Sequence, residues 1–313
     1  MQAAAACSRL PAIYINHGGG PLPLLGQQPD VAGFLSSYVA TLPEMPRAVV
    51  VVTAHWEAAM TTVSSGERHS LLFDYSGFPP ESYKYKYPAP GSPEVAGRLC
   101  ELLQAAGLPH GRDDTRGWDH GVFVPMMLML PDAGVPIVQL SLTSDQSAAT
   151  QLAVGAALRP LRDEGVLLVG SGVSFHNFKW FFAREPSAQA AGTAHSRTFD
   201  SWLTAAVTDA SLSTAARVAK LSRCDDASDG FRWRSTPSLR IVSDCNGLQR
   251  IATDCFSSRV VAFDCFLHSG GRRRHRRSRR IHRAPQNTSC RCWSWRERRL
   301  TARCAPLMAS DCF

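Results

Sequence analysis

Residues 48–55 read Ala-Val-Val-Val-Val-Thr-Ala-His, and the unbroken β-branched run within them is the strongest constraint in the chain. Such a run has no polar side to turn toward water, so it suits a parallel strand covered on both faces. The pattern places His55 at the carboxyl edge of that strand. Open α/β sheets keep their crevices there, because helices cover the faces and only the loops beyond the strand ends leave room.

The same arrangement recurs twice. Ile13 to Asn16 is a short apolar strand ending at His17, and Gly18-Gly19-Gly20 then lets the backbone turn without a Cβ clash. Val166 to Val169 is followed by Gly170-Ser171-Gly172 and, a few residues on, by His176. One histidine after a strand is most often a loop residue or a satisfied core side chain. Three in the same context suggest a shared site, since parallel neighbouring strands would bring three imidazoles to one edge, where they suit a divalent transition metal.

With 313 residues, 44% of them apolar, the chain is long enough for one large α/β domain or two smaller ones. No apolar run approaches the roughly 18–20 residues of a membrane span, and the opening Met1-Gln2-Ala3-Ala4-Ala5-Ala6-Cys7 is too short for a signal peptide's apolar region. The expectation is a soluble cytoplasmic protein with no membrane partner. The net charge of +8 is unevenly placed. Residues 1–216 hold 13 Lys and Arg against 18 Asp and Glu, a balance of −5, whereas residues 217–313 hold 21 against 8, a balance of +13. Cysteine divides likewise, with Cys7 and Cys100 before residue 217 and eight more after it. Two cysteines in 216 residues fit a reducing compartment rather than a disulfide scaffold.

From Pro11 to about Val207, strands alternate with helix-like stretches: a helix over Val31–Leu42, a short strand at Thr61–Val63, a helix from Ser92-Pro93-Glu94 to Ala106, a strand at Ile137–Leu142, and helices over Ser147–Leu161 and Ala194–Val207. Residues 73–93, rich in Gly, Pro and Tyr, are too broken by proline for regular structure and read as a long loop ordered by its aromatic side chains. Trp118-Asp119-His120-Gly121 precedes an apolar segment, Val122–Leu130. His120 suits either an exposed turn or a site, with Trp118 as a pocket wall.

Residues 11–207 resemble the class III extradiol ring-cleavage dioxygenase family, most closely its 4,5-DOPA dioxygenase branch. The resemblance rests on six motifs in order: His17-Gly18-Gly19-Gly20-Pro21, Thr53-Ala54-His55-Trp56, the loop from Gly77-Phe78-Pro79-Pro80 through Tyr87-Pro88-Ala89-Pro90-Gly91-Ser92-Pro93, Trp118-Asp119-His120-Gly121, Val138-Gln139-Leu140-Ser141, and Gly170-Ser171-Gly172 ahead of His176-Asn177. It implies one α/β domain with a largely parallel central sheet flanked by helices and a metal site at the carboxyl ends of the strands. It also implies a mononuclear non-haem Fe(II), a site that zinc can occupy, at which a catechol and O2 meet for ring opening beside the diol. By the same resemblance His17 and His55 match metal ligands. His176 matches a further metal-site histidine, either a ligand or the acid–base group facing substrate, and His120 matches a pocket histidine suited to hold the substrate or a proton. Neither the particular catechol nor an oligomeric state follows from it.

The family's final ligand, in a His-Pro segment followed by a second His and an apolar helix, has no counterpart here. The expected catalytic domain is therefore 8–216 and C-terminally incomplete, and 217–313 is an Arg-, Ser- and Cys-rich tail without sustained helix or strand period. The run Arg272-Arg273-Arg274-His275-Arg276-Arg277 could neutralise phosphates, and Cys290-Arg291-Cys292 could be part of a metal module, although its spacing is short for one. The reading that fits best is an irregular or disordered tail produced by a frameshift or mis-splicing, which argues against a nucleic-acid partner. A chain that keeps the fold and pocket but acts by binding alone is the rival to the enzyme.

Overall fold

The computed structural model describes residues 9–145, 147–175, 183–222 and 248–251. All of them belong to one compact unit, and a second unit, 268–313, lies outside the described residues. The strands are β1 (Ala12–Asn16), β2 (Ala48–Ala58), β3 (Thr61–Ser64), β4 (His110–Asp113), β5 (Ile137–Thr143), β6 (Val166–Gly172) and β7 (Leu248–Ile251). They form one sheet in the order β4-β3-β5-β2-β6-β1-β7. The pairs β5–β2, β2–β6, β6–β1 and β1–β7 are parallel, while β3 meets β5 antiparallel and β4 parallel. Among the described residues seven α-helices complete the fold: α1 (Pro29–Tyr38), α2 (Pro93–Ala105), α3 (His120–Met129), α4 (Ala148–Leu158), α5 (Pro160–Asp163), α6 (Pro186–Thr208) and α7 (Thr214–Ser222).

The valine run behaves as its composition demands. Val49 and Val51 join Ile13, Ile15, Leu167 and Val169 in a core with Leu35 of α1 and Val122 and Met126 of α3. Val50 and Val52 join Leu140 and Leu168 in a second core with Leu99 and Leu103 of α2 and Val154 of α4. Alternate side chains of one strand thus enter two cores, which is why the strand carries no polar period. Strands β1, β2 and β6 are adjacent and parallel, with β6 between β2 and β1.

Several boundaries differ from those read in the sequence. β6 continues through Gly170-Ser171-Gly172, and β2 continues past His55 to Ala58. Pro160 ends the helix expected over 147–161 and starts a separate short one, because its ring cannot follow the preceding turn. β4 was not anticipated, since His-Gly-Arg-Asp carries no apolar alternation. β7 adds a strand inside the stretch read as irregular. The other tail features, the arginine run and Cys290 among them, lie outside the described residues. Among the described residues no helix is long and apolar enough to cross a membrane.

The loop before α2 is tied to the core by Tyr87, which is 5% exposed and whose hydroxyl donates to the Leu130 carbonyl at 2.9 Å and approaches the Met126 carbonyl at 3.2 Å. It thereby satisfies the C-terminal end of α3, where helix carbonyls lack intrahelical donors. Replacing Tyr87 by Phe should destabilise the fold by about 0.5–1.5 kcal/mol, the net worth of one buried hydrogen bond, since the Leu130 carbonyl keeps the Ala133 amide. Urea denaturation monitored by tryptophan fluorescence measures this directly.

Candidate metal centre

His17 follows β1 directly and is 2% exposed. Asn16 Oδ1 accepts the Gly18 amide at 2.8 Å, and Gly18 sits at φ +85°. A Cβ there would come within 2.4 Å of both Pro23 Cγ and Gln28 Oε1, so only glycine makes the turn that fixes His17.

His55 is delivered by a different device from the strand end expected of it. Between Val52 and Glu57 β2 takes five steps while its partner β5 takes two, from Leu140 to Leu142. His55 lies in this bulge, a feature that re-aims a side chain without ending the strand. Its backbone is held on both sides: the His55 amide donates to Thr53 Oγ1 at 3.1 Å, and Arg116 Nη2 donates to the His55 carbonyl at 3.1 Å. The Arg116 guanidinium also lies over the Trp56 ring, 4.9 Å from its centroid.

His120 is the first residue of α3. The Asp119 carboxylate stands at the cap position but makes no capping bond. Fully buried, it turns inward and accepts from Thr53 Oγ1 at 2.7 Å, from Gln139 Nε2 at 2.7 Å and from Arg116 Nη2 at 3.4 Å. Burial pushes the Asp119 carboxyl up; the Thr53 hydrogen bond opposes this, and the nearby Asp74 charge adds to it. The helix start is served instead by Asp74 of the long loop, whose Oδ1 accepts both the His120 amide at 2.9 Å and His120 Nδ1 at 2.8 Å. The other oxygen of Asp74 is 3.7 Å from His55 Nδ1. Burial alone would raise the Asp74 carboxyl, but the His120 hydrogen bonds and the charges of His120 and His55 outweigh it and hold it below the usual carboxylate value.

The three imidazoles meet. Ring centroids are 5.0 Å apart for His17 and His55, 5.1 Å for His17 and His120, and 4.0 Å for His55 and His120. One ring nitrogen from each lies within 4.8 Å of the others, a group able to hold a metal ion. His17 Nε2 and His55 Nε2 are 3.2 Å apart. Two nitrogens bound to one divalent ion are separated by about 3.0–3.4 Å, so this pair fits a common ion. The other nitrogens are held by partners, His17 Nδ1 by Ser171 Oγ at 2.8 Å and His120 Nδ1 by Asp74. Outer partners of this kind are what orient metal-binding imidazoles.

The structure therefore brings together His17, His55 and His120; His176 lies outside the described residues. Trp118 does not wall the pocket. It is completely buried beneath His69 and Tyr87, with ring centroids at 5.3 and 6.3 Å. The aromatic wall comes from the loop, where Tyr75 stacks near Phe78 (5.4 Å), Tyr83 (5.3 Å) and His120 (5.9 Å). The Tyr75 hydroxyl donates to the Ser82 carbonyl at 2.6 Å, and burial pushes its pKa up to about 12. Lys84 and Lys86 on the same loop are exposed. Asp74, Thr53, Ser171, Arg116 and Gln139 received no role from the sequence. Thr53, Gln139 and Ser171 lie inside recognised motifs, but Asp74 is 46 positions from His120 in a loop without periodicity, and no spacing rule points to it.

Comparison with known proteins agrees with this geometry. Residues 4–229 match the family described as the catalytic LigB subunit of aromatic ring-opening dioxygenase, and the chain belongs to that family. Dioxygenase tasH of Hapsidospora irregularis is 44% identical over 189 residues, 57% of this chain and 58% of that protein. The 4,5-DOPA dioxygenase extradiol of Beta vulgaris is 37% identical over 200 residues, 63% of this chain and 73% of that protein, and its Escherichia coli K12 namesake is 41% identical over 173 residues, 55% of this chain and 62% of that protein. The matched stretch thus spans just over half the length of tasH. The crystal structure of the uncharacterized protein JW3007 from Escherichia coli K12 superposes with a TM-score of 0.55 at 31% identity, covering 77% of this chain and 91% of that one.

Gly121 tests how tightly this centre is built. A Cβ there would stand 2.6 Å from Thr53 Oγ1, 3.1 Å from Asp119 Oδ1 and 3.1 Å from His55 Cδ2. Gly121→Ala should therefore displace the His55 bulge and destabilise the fold by about 1–3 kcal/mol, the usual cost of overpacking. Thermal unfolding gives the stability change, and metal content after dialysis against Zn(II) reports the displacement.

Proposed function

We propose that the chain is an extradiol dioxygenase that opens the ring of a DOPA-like catechol with O2 at a mononuclear non-haem Fe(II), in a site that zinc can also occupy. The observation that carries this reading is the 3.2 Å approach of His17 Nε2 and His55 Nε2, beside an aromatic-walled loop, in a chain of the ring-opening family. His17, His55 and His176 are the metal ligands in this reading. Bound Fe(II) would supply coordination positions at which catechol and O2 are brought together.

The remaining residues handle substrate and protons. His120 touches both the histidine pair and Tyr75, so it stands on the side from which an aromatic ring would enter. Asp74 accepts its Nδ1 proton, which leaves Nε2 to take a proton from a catechol hydroxyl, the step a chelating diol requires. His176 shares this acid–base duty in our assignment. Tyr75, Phe78 and Tyr83 exclude water and offer ring edges and faces to the substrate.

We assign the catalytic domain to 8–216 and the non-family tail to 217–313, and place the protein in the cytoplasm on the mere two cysteines of its first 216 residues, of which Cys100 is buried and free. A second reading is favoured by one sequence fact, the missing His-Pro and His segment. Without that ligand the centre would bind metal more weakly, and the chain would act as a binding-only relative.

The test is aerobic turnover of catechol substrates after anaerobic Fe(II) loading, followed by O2 uptake and the yellow ring-opened product. Wild-type protein should turn over and His55→Ala should lose both metal and product; unchanged turnover in that variant sinks the assignment. Asp74→Asn should retain metal within about tenfold yet slow turnover by roughly 10²–10⁴, the range expected when a positioned proton acceptor is impaired.

A further inference from the structure

Helix α3 contains a proline, Pro125, four residues after Gly121. A proline has no amide proton, so the Gly121 carbonyl is denied the donor that a continuous helix would return to it. The Ser171 hydroxyl, fully buried on β6, donates to that carbonyl instead. Ser171 also contacts His17 Nδ1 at 2.8 Å.

A serine hydroxyl has one proton and can donate only once. A carbonyl can only accept, so the Ser171 proton belongs to Gly121, and the contact with His17 must be made by an Nδ1 proton donated to Ser171 Oγ. His17 is then confined to the tautomer that carries its proton on Nδ1 and a lone pair on Nε2, the nitrogen that faces His55 Nε2. The position is well enforced. Ser171 is level with Ile15 of β1 on one side and Thr53 of β2 on the other, at the centre of the parallel triplet.

We propose that Ser171 is a positioning residue that locks the His17 tautomer for metal binding, and that Pro125 creates the lock by leaving the Gly121 carbonyl in need of the hydroxyl proton. The metal half of this statement rests on the reading under Proposed function; the tautomer half stands on the hydrogen bonds alone.

The experiment separates the two halves, and separates positioning from simple structural support. Full-length protein labelled with ¹⁵N-histidine is examined metal-free by long-range ¹H–¹⁵N correlation, the His17 signals being assigned by comparison with His17→Gln. Zn(II) affinity is measured by chelator competition, and stability by the urea midpoint. Wild-type His17 should show a protonated Nδ1. Ser171→Ala should lose the single tautomer, weaken Zn(II) by about tenfold to a hundredfold and lower the urea midpoint. The decisive variant is Ser171→Ala combined with Pro125→Ala, in which the alanine amide can serve the Gly121 carbonyl. Its urea midpoint should recover while the tautomer mixture and weak Zn(II) binding persist. Recovery of Zn(II) affinity along with stability would show that Ser171 only fills a gap in the helix, and overturns the proposal, as does a wild-type His17 protonated on Nε2. A wild-type protein with the Nδ1 tautomer but no stoichiometric Zn(II) binding supports the lock and overturns the metal reading.

Discussion

The carboxylate of Asp119 is buried without an aqueous path, and the geometry of the centre depends on it. Removing a carboxylate from water costs several kcal/mol even after relaxation, so it must be offset by close donors. Thr53, Gln139 and Arg116 supply them, one each from β2, β5 and the segment ahead of α3. The same three contacts fix the His55 bulge through Thr53 and the His55 carbonyl through Arg116, and they set the start of α3 where His120 emerges. A hydrophobic cluster of equal volume would stabilise the fold as well or better, but it would not define the angle of a bulge. The network is better understood as specifying one arrangement than as adding stability.

The same logic explains which features the sequence disclosed. Burial on two faces leaves a continuous apolar run, so β1, β2, β5 and β6 were legible, and their adjacency brought His17 and His55 together, although a bulge rather than a strand end delivers His55. The helix start at Ser92-Pro93 was legible because a side-chain cap and a first-turn proline are local chemistry, and Ser92 Oγ does accept the Val95 amide at 3.2 Å. What escaped was non-local. The bulge that carries His55 is a mismatch between two strands and has no signature in either alone. Asp74 meets His120 through loop folding, and Ser171 meets Gly121 across 50 positions. Trp118 was misread as a pocket wall because an aromatic residue beside a site histidine looks the same in sequence whether it faces the cavity or the core.

Pro125 illustrates how a local cost becomes a functional asset. A proline inside a helix usually destabilises by about 3 kcal/mol, through a lost hydrogen bond and a ring clash. Here the helix is short and buried on nearly every side, from Val122 and Phe123 to Met126 and Met129, so packing holds it without the full ladder. The vacated acceptor then recruits a hydroxyl from the neighbouring strand. A polar group inside a parallel sheet is thereby satisfied at both of its ends, by His17 and by Gly121, and the helix defect and the strand serine explain each other.

The charge distribution around the imidazoles bears on what the centre would bind. Neutral histidines leave the charge of a divalent ion uncompensated, and the nearest carboxylate, Asp74, holds His120 and lies beside Nδ1 of His55 rather than among the nitrogens that converge. With an ion bound, such a centre would favour an incoming anion, and the catecholate of the proposed reading would bring two oxygens that answer both charge and coordination. A buried carboxylate among the ligands would work against this, which gives a reason for keeping Asp119 turned away toward Thr53 and Gln139. The absence of the family's C-terminal histidine acts in the opposite direction on affinity and openness. In the proposed reading, losing that nitrogen would weaken retention of a metal and at the same time leave a position for ligands. If the centre holds a metal as proposed, its retention would depend on the outer contacts that pre-orient His17 and His55, Ser171 and Thr53 foremost.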